Sequence, residues 1–149
     1  MKKTALIALA LISLAACKDM DKKAAPVEKM SKEEIEKAAN DTTNFTSLTW
    51  IDSTTQSLGK LKKDKDIEIT WRFKNTGDKS LIIENVTASC GCTIPEKPEQ
   101  SFAPGQEGVI KAKFNGSGSG SIVKQVHVIA NTKPAKEHTL TFTGEVSEK

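Results

Sequence analysis

The chain has 149 residues, of which 37% are hydrophobic, 5% aromatic and 28% charged, and it contains no tyrosine. That length holds one domain plus extensions and excludes a multidomain enzyme, a multi-span membrane protein and a collagen-like or wholly disordered chain. The formal charge of +3 falls to +1 once Lys2 and Lys3 are assigned to a removable leader, leaving 20 basic against 19 acidic residues, so no nucleic-acid partner is expected.

Residues 1–17 read MKKTALIALALISLAAC. Two lysines precede an apolar run over 5–16 that is shorter than the roughly 20 residues a spanning helix needs. A charged start, a short apolar middle and small residues before the cut describe a secretory signal. Leu14-Ala15-Ala16-Cys17 resembles the bacterial lipobox, in which the cysteine is lipidated and becomes the first mature residue. Acyl chains such as palmitate on Cys17 would anchor the protein to a membrane, each buried CH₂ contributing about 0.8 kcal/mol. Of the three cysteines, this assignment leaves Cys90 and Cys92 as a pair. Lys18-Asp19-Met20-Asp21 partly resembles the Lys-plus-acidic signal that sends some Bacteroidetes lipoproteins to the cell surface.

Residues 18–43 are charge-rich and lack aromatics, a composition that cannot bury enough surface to offset its conformational entropy. Ser31-Lys32-Glu33-Glu34 fits a capping box, so at most a nascent helical turn is expected in a solvated tether. The expected organisation is a signal peptide over 1–16, a lipidated N-terminus and tether over 17–44, and one globular domain over 45–149.

From Phe45 onward the hydrophobic period is two. Ile67, Ile69, Trp71 and Phe73 fall on one face of a strand, with Glu68, Thr70, Arg72 and Lys74 on the other. Asn75-Thr76-Gly77-Asp78 supplies turn chemistry. In the next strand the apolar phase slips between Ile83 and Val86, which predicts a bulge near Glu84-Asn85; beyond it Val86, Ala88 and Cys90 share a face. Further alternations centre on Ile110, Ala112 and Phe114, on Val126, Val128 and Ala130, and on Leu140, Phe142 and Val146. Trp50 and Trp71 are expected in the core. With segments 45–51 and 58–61, about seven strands predict an all-β, antiparallel sandwich of immunoglobulin type. The Gly/Ser-rich segment 115–121 is expected to be a flexible hairpin tip.

Ser89-Cys90-Gly91-Cys92-Thr93-Ile94-Pro95 is the chemical motif. Together with Phe73-Lys74-Asn75-Thr76-Gly77 before it and Phe102-Ala103-Pro104-Gly105 after it, it resembles DUF1573, a bacterial family of small exported Ig-like domains related to the ASPM/SPD-2/hydin type. The resemblance covers roughly residues 46–146. It implies an Ig-like fold and a bacterial, often lipid-anchored setting, and brings no activity, cofactor or partner. Ser57-Leu58-Gly59 departs from the Asp-Phe-Gly that relatives tend to show.

In an extended strand Cys90 and Cys92 would point to one side, with their Cα atoms near the limit of about 6.8 Å for a disulfide. A bridge there would close a tiny loop, contribute little chain entropy and be easily reduced. Three uses remain open: a structural pair, a thiol-redox pair, or two thiolates for Cu(I). No basic residue adjoins the pair in sequence to favour a thiolate. Other metal ligands would have to come from His127, His138, Met20 or Met30; the strand phases place His127 outward and His138 inward, so the two cannot share a site. No His, Cys and acid fall at a nucleophile's spacing, and no cofactor motif is present. The sequence thus reads as a non-enzymatic, lipid-anchored binding module of the cell envelope, with a sheet edge or end loops as contact surface and a thiol or copper role for Cys90 and Cys92 as the alternative.

Overall fold

The computed structural model describes Ser31, Glu33 and residues 41–148. The leader, Cys17 and most of the tether, including Lys32 and Glu34 of its capping box, lie outside the described residues. Eight strands follow a 3-10 turn at Thr42–Asn44: β1 Leu48–Trp50, β2 Thr55–Lys62, β3 Ile67–Asn75, β4 Ile83–Ala88, β5 Thr93–Glu96, β6 Glu107–Phe114, β7 Gly120–Ala130 and β8 Glu137–Ser147. They form two four-stranded sheets ordered β1-β3-β6-β5 and β2-β8-β7-β4. The all-β, Ig-like sandwich expected from the period-two pattern is the observed fold.

The core follows that pattern residue by residue. Ile69, Trp71 and Phe73 of β3 are at most 2% exposed, and they meet Ile110, Ala112 and Phe114 of β6 and Val126, Val128, Leu140 and Phe142 of the opposite sheet. Alternate residues point at one face of a pleated strand, so one inward row per strand suffices to fill the space between the sheets. Trp50 is half-buried against this core, edge-on to Phe73 at 5.8 Å between ring centroids. The register of β4 on β7 shifts between Ile83 and Asn85, where the phase slip predicts a bulge.

Three expectations are corrected. The sandwich is not wholly antiparallel: β2 runs parallel to β8, because the chain crosses between sheets over 51–54 and continues in its original direction. Among the described residues there are eight strands against the seven or so expected, since Thr93–Glu96 pairs with β6 despite Pro95. As a sheet edge, β5 tolerates a residue without an N–H. The Gly/Ser segment is no hairpin tip, because it joins β6 of one sheet to β7 of the other. Its Gly116 has φ +75° and lies so close to Asp64 and Lys65 that a Cβ would approach the Lys65 backbone N to 2.6 Å. The Gly116 carbonyl accepts from the Asp64 N–H at 3.1 Å.

Two fully buried asparagines lock the end of the sandwich where the described chain enters. Asn75 Oδ1 accepts from Thr46 Oγ1 (2.9 Å) and from the Gly77 N–H (3.1 Å), while Nδ2 donates to the carbonyls of Lys79 (2.7 Å) and Phe102 (2.8 Å). Asn131 Oδ1 accepts from the Ile82 N–H (2.7 Å), and its Nδ2 donates to the Asn44 and Ser80 carbonyls, both at 2.9 Å. Ala103-Pro104-Gly105-Gln106 forms a turn closed by the Gln106 N–H on the Ala103 carbonyl (2.9 Å), with Gly105 at φ +79° and its N–H on the Asn75 carbonyl (2.8 Å). Asn-Thr-Gly and Ala-Pro-Gly, two of the motifs that carry the resemblance, are therefore fold devices meeting at Asn75.

Candidate functional site: the Cys90–Cys92 corner

The Cys-Gly-Cys motif occupies the opposite end, where the chain leaves β4 in one sheet and enters β5 in the other. The two sulfurs are bonded to each other across a Cα–Cα separation of 5.3 Å. The expectation of an extended strand is corrected here. The backbone turns at Gly91, with the Thr93 N–H on the Cys90 carbonyl at 3.3 Å, and this shortens a separation that would reach about 6.6 Å in a strand. Two cross-strand contacts hold the corner. The Ser89 N–H donates to the Gln125 carbonyl (3.0 Å), and the Asn115 N–H donates to the Cys92 carbonyl (3.0 Å).

Both cysteines are half-buried, and Cys92 packs against the core. The Thr93 hydroxyl, buried at 3% exposure, lies 3.8 Å from Cys90 Sγ and 4.0 Å from Cys92 Sγ. Neither bridged sulfur carries a proton, so the hydroxyl, with its single O–H, is the donor to whichever sulfur it bonds. A Cβ added at Gly91 would meet nothing within 4 Å, so the turn is open to approach on that side. As long as the bridge stands, neither sulfur is a thiolate that can ligate Cu(I).

The histidines stay apart, as the strand phases predict. His127 is on the outer face, its Nδ1 3.0 Å from Glu137 Oε1. His138 is half-buried on the inner side, edge-on to Trp50 at 6.0 Å. Its Nε2 lies 2.8 Å from Thr132 Oγ1, whose own proton goes to the Ala135 carbonyl at 2.7 Å, so Nε2–H of His138 is the donor. Burial pushes the His138 pKa below the usual 6.5. Among the described residues no group of three or more His, Cys, Asp or Glu is placed to hold a metal ion.

A lysine that reading by sequence proximity passes over belongs to the same corner. Lys124 stands in the inward phase of β7, between buried Ile122 and Val126. Ala88 pairs with Val126, and beyond that pair the Ser89 N–H reaches the Gln125 carbonyl while the Gln125 N–H reaches Ser89 Oγ. Cys90 and Lys124 are the next residue of each segment past this contact, where the chain bends out of β4. The signal in the sequence is a charge at an apolar position of a strand.

Fold and site together define a small Ig-like sandwich with a disulfide-closed corner between its sheets. The chain belongs to the family described as "Protein of unknown function (DUF1573)", whose model matches residues 49–146. No curated protein matches it. Among solved structures it is similar to a protein of unknown function from Porphyromonas gingivalis W83, at 16% identity and TM-score 0.61, over 70% of this chain and 49% of that one. It is also similar to the ASH/PapD-like domain of human CEP192, at 11% identity and TM-score 0.53, over 85% and 96% of the two chains. A third similarity is to the Vibrio cholerae VesB protease, at 12% identity and TM-score 0.53, over 74% of this chain and 35% of that one. The chain thus spans about half the length of the Porphyromonas protein and about a third of the protease. At these identities the likeness is one of fold.

Proposed function

We propose that the protein is a non-enzymatic binding module of the bacterial cell envelope, anchored to a membrane by lipid on Cys17 and facing the periplasm or the cell exterior. The observation that carries this reading is the polarity of the domain. The described chain enters beside Asn75 and Asn131, while the loops 63–66, 89–92 and 115–119 lie at the other end. A domain tethered through its N-terminus would turn those three loops, the Cys90–Cys92 corner among them, away from the anchor.

The sheet edges support loops as the contact surface, because each is blunted against strand addition. β1 is three residues long, β4 is bulged at Glu84, β5 carries Pro95, and β2 is broken at Gly59 and bears Lys60 and Lys62. Above β1, the free edge of β3 is occupied by side chains. Asp52 Oδ2 accepts from the Arg72 N–H (2.8 Å), and Gln56 Nε2 donates to the Thr70 carbonyl (2.9 Å). The Arg72 guanidinium also grips Asp52, and these hydrogen bonds hold its carboxyl below the ordinary carboxylate range.

Cell fractionation tests the anchor. The wild-type protein should sediment with membranes and be released by detergent, and Cys17→Ser should lose acylation. A wild-type protein that is soluble without detergent would refute the reading.

A second reading is favoured by the bond between Cys90 and Cys92. Disulfides persist in oxidising compartments, and a half-exposed bridge closing so small a loop is suited to thiol exchange more than to stabilisation. Opening of the wild-type bridge by millimolar glutathione in native buffer would support it, and full resistance would count against it.

A further inference from the structure

We propose that the Cys90–Cys92 bridge exchanges with a partner dithiol and that Lys124 supplies the counter-charge for the Cys90 thiolate released when the bridge opens. The proposal rests on the thiol-exchange reading above and deepens it by naming the group that makes the corner reactive.

Three observations converge on Lys124. Its position in the inward phase of β7 directs the side chain to the core side, where it is half-buried instead of fully solvated. The pairing of β4 with β7 ends at Ala88, and the Ser89–Gln125 hydrogen bonds beyond it leave Lys124 and Cys90 as the flanking residues of that last contact. Residues flanking such a contact lie within the sweep of a flexible four-carbon lysine stem. Among the described residues no carboxylate pairs with Lys124, although five other Lys or Arg side chains have acidic partners. A lysine at this position attracts an anion that appears beside it more strongly than a fully solvated one would. With the bridge closed there is none, and with the bridge open Cys90 is one.

The exchange is a two-step displacement. A thiolate of the partner dithiol bonds to Cys92 Sγ, the bond between the two Sγ atoms breaks, and its electron pair leaves on Cys90 Sγ. There Lys124 provides the opposite charge and the Thr93 hydroxyl, 3.8 Å from that sulfur, provides a hydrogen bond. The partner's second thiolate then attacks the partner sulfur of the mixed disulfide, and Cys92 leaves. Two electrons pass from the dithiol to the pair, the partner departs as a disulfide, and the two protons it gave up on ionising end on Cys90 and Cys92. The open flank at Gly91 leaves room for the incoming group.

The test follows bridge opening in the purified protein by dithiothreitol, read by alkylation and intact mass at pH 7, for wild type, Lys124→Met and Lys124→Arg. Tryptophan fluorescence and urea midpoints confirm that all three are equally folded. Lys124→Met should open roughly three- to tenfold more slowly at low salt, with the difference shrinking at 1 M salt, and Lys124→Arg should keep the wild-type rate. Equal rates for Lys124→Met and wild type, with the wild-type bridge opening readily, would overturn the role of Lys124 and leave thiol exchange standing. A wild-type bridge that opens only in urea would overturn thiol exchange and the proposal with it.

Discussion

Replacing Asn75 is the sharpest perturbation of the fold, because one side chain holds four groups from three segments. In Asn75→Ala, the Gly77 N–H keeps the Ser47 carbonyl (3.2 Å) and the Phe102 carbonyl keeps the Leu81 N–H (2.9 Å), so two of the four are not orphaned. The Thr46 hydroxyl and the Lys79 carbonyl lose the partners that Asn75 gave them. Thr46 is 1% exposed, so its hydroxyl is an unsatisfied buried group at about 1–3 kcal/mol, while Lys79 is exposed and water can take up its carbonyl. The expected loss is about 1–3 kcal/mol, against a total of about 5–15 kcal/mol for a domain of this size. Asn75→Asp should be worse at neutral pH, since a carboxylate oxygen would face the Lys79 and Phe102 carbonyls where an NH₂ now donates. The charged form is disfavoured there, so the folded-state pKa of the new carboxyl lies above its unfolded value of about 3.9. The variant therefore loses stability progressively as pH rises above about 4, and recovers it in acid. Urea unfolding followed by the fluorescence of buried Trp71 measures both. A loss below about 1 kcal/mol for Asn75→Ala, or Asn75→Asp matching Asn75→Ala at pH 7, would refute the account of this clamp.

Other perturbations have equally definite expectations. Gly108→Ala places a methyl 2.4 Å from ring atoms of Phe73 and Phe102, which themselves pack edge-to-face at 4.9 Å, so a loss of about 1–3 kcal/mol or more is expected in urea unfolding. The Cys90→Ser/Cys92→Ser protein should lose only about 1.5 kcal/mol, since the chain-entropy contribution of so small a loop is near the minimum; a loss above about 4 kcal/mol would make the pair structural. His138 is neutral in the folded protein and has its pKa depressed by burial, so its contribution to stability is present above about pH 6.5 and is lost as pH falls through the folded value. Melting temperatures between pH 7.5 and 5.5 should show an acid-side decline that is smaller in His138→Gln.

The alternation from Ile67 to Phe73 made one buried face legible because a strand's period is two, and the slip after Ile83 marked the bulge for the same reason. Pro95 hid β5, since its lack of an N–H argues against a strand unless the strand is known to be an edge. The Gly/Ser segment reads as a local turn, while its actual task, crossing between sheets, depends on which strands neighbour β6 and β7. The same limit applies to the site. Cys90 and Cys92 are two apart in sequence and stand out at once, but Lys124, 34 residues beyond Cys90, is brought beside the Ser89–Gln125 contact only by the pairing of β4 with β7. Asn75 reads as a turn former, and only the folded chain shows that its amide ties β3 to the Thr46 and Phe102 segments.

The central claim, a tethered module that meets its partner with the Cys90–Cys92 end, is tested most directly by photocrosslinking in cells. A photoreactive residue at Ser117, in the loop beside the corner, is compared with one at Lys133, at the end where the described chain enters. The account predicts a discrete envelope-protein adduct from position 117 that is absent from position 133. An adduct from position 133 alone, or equal products from both, would contradict it.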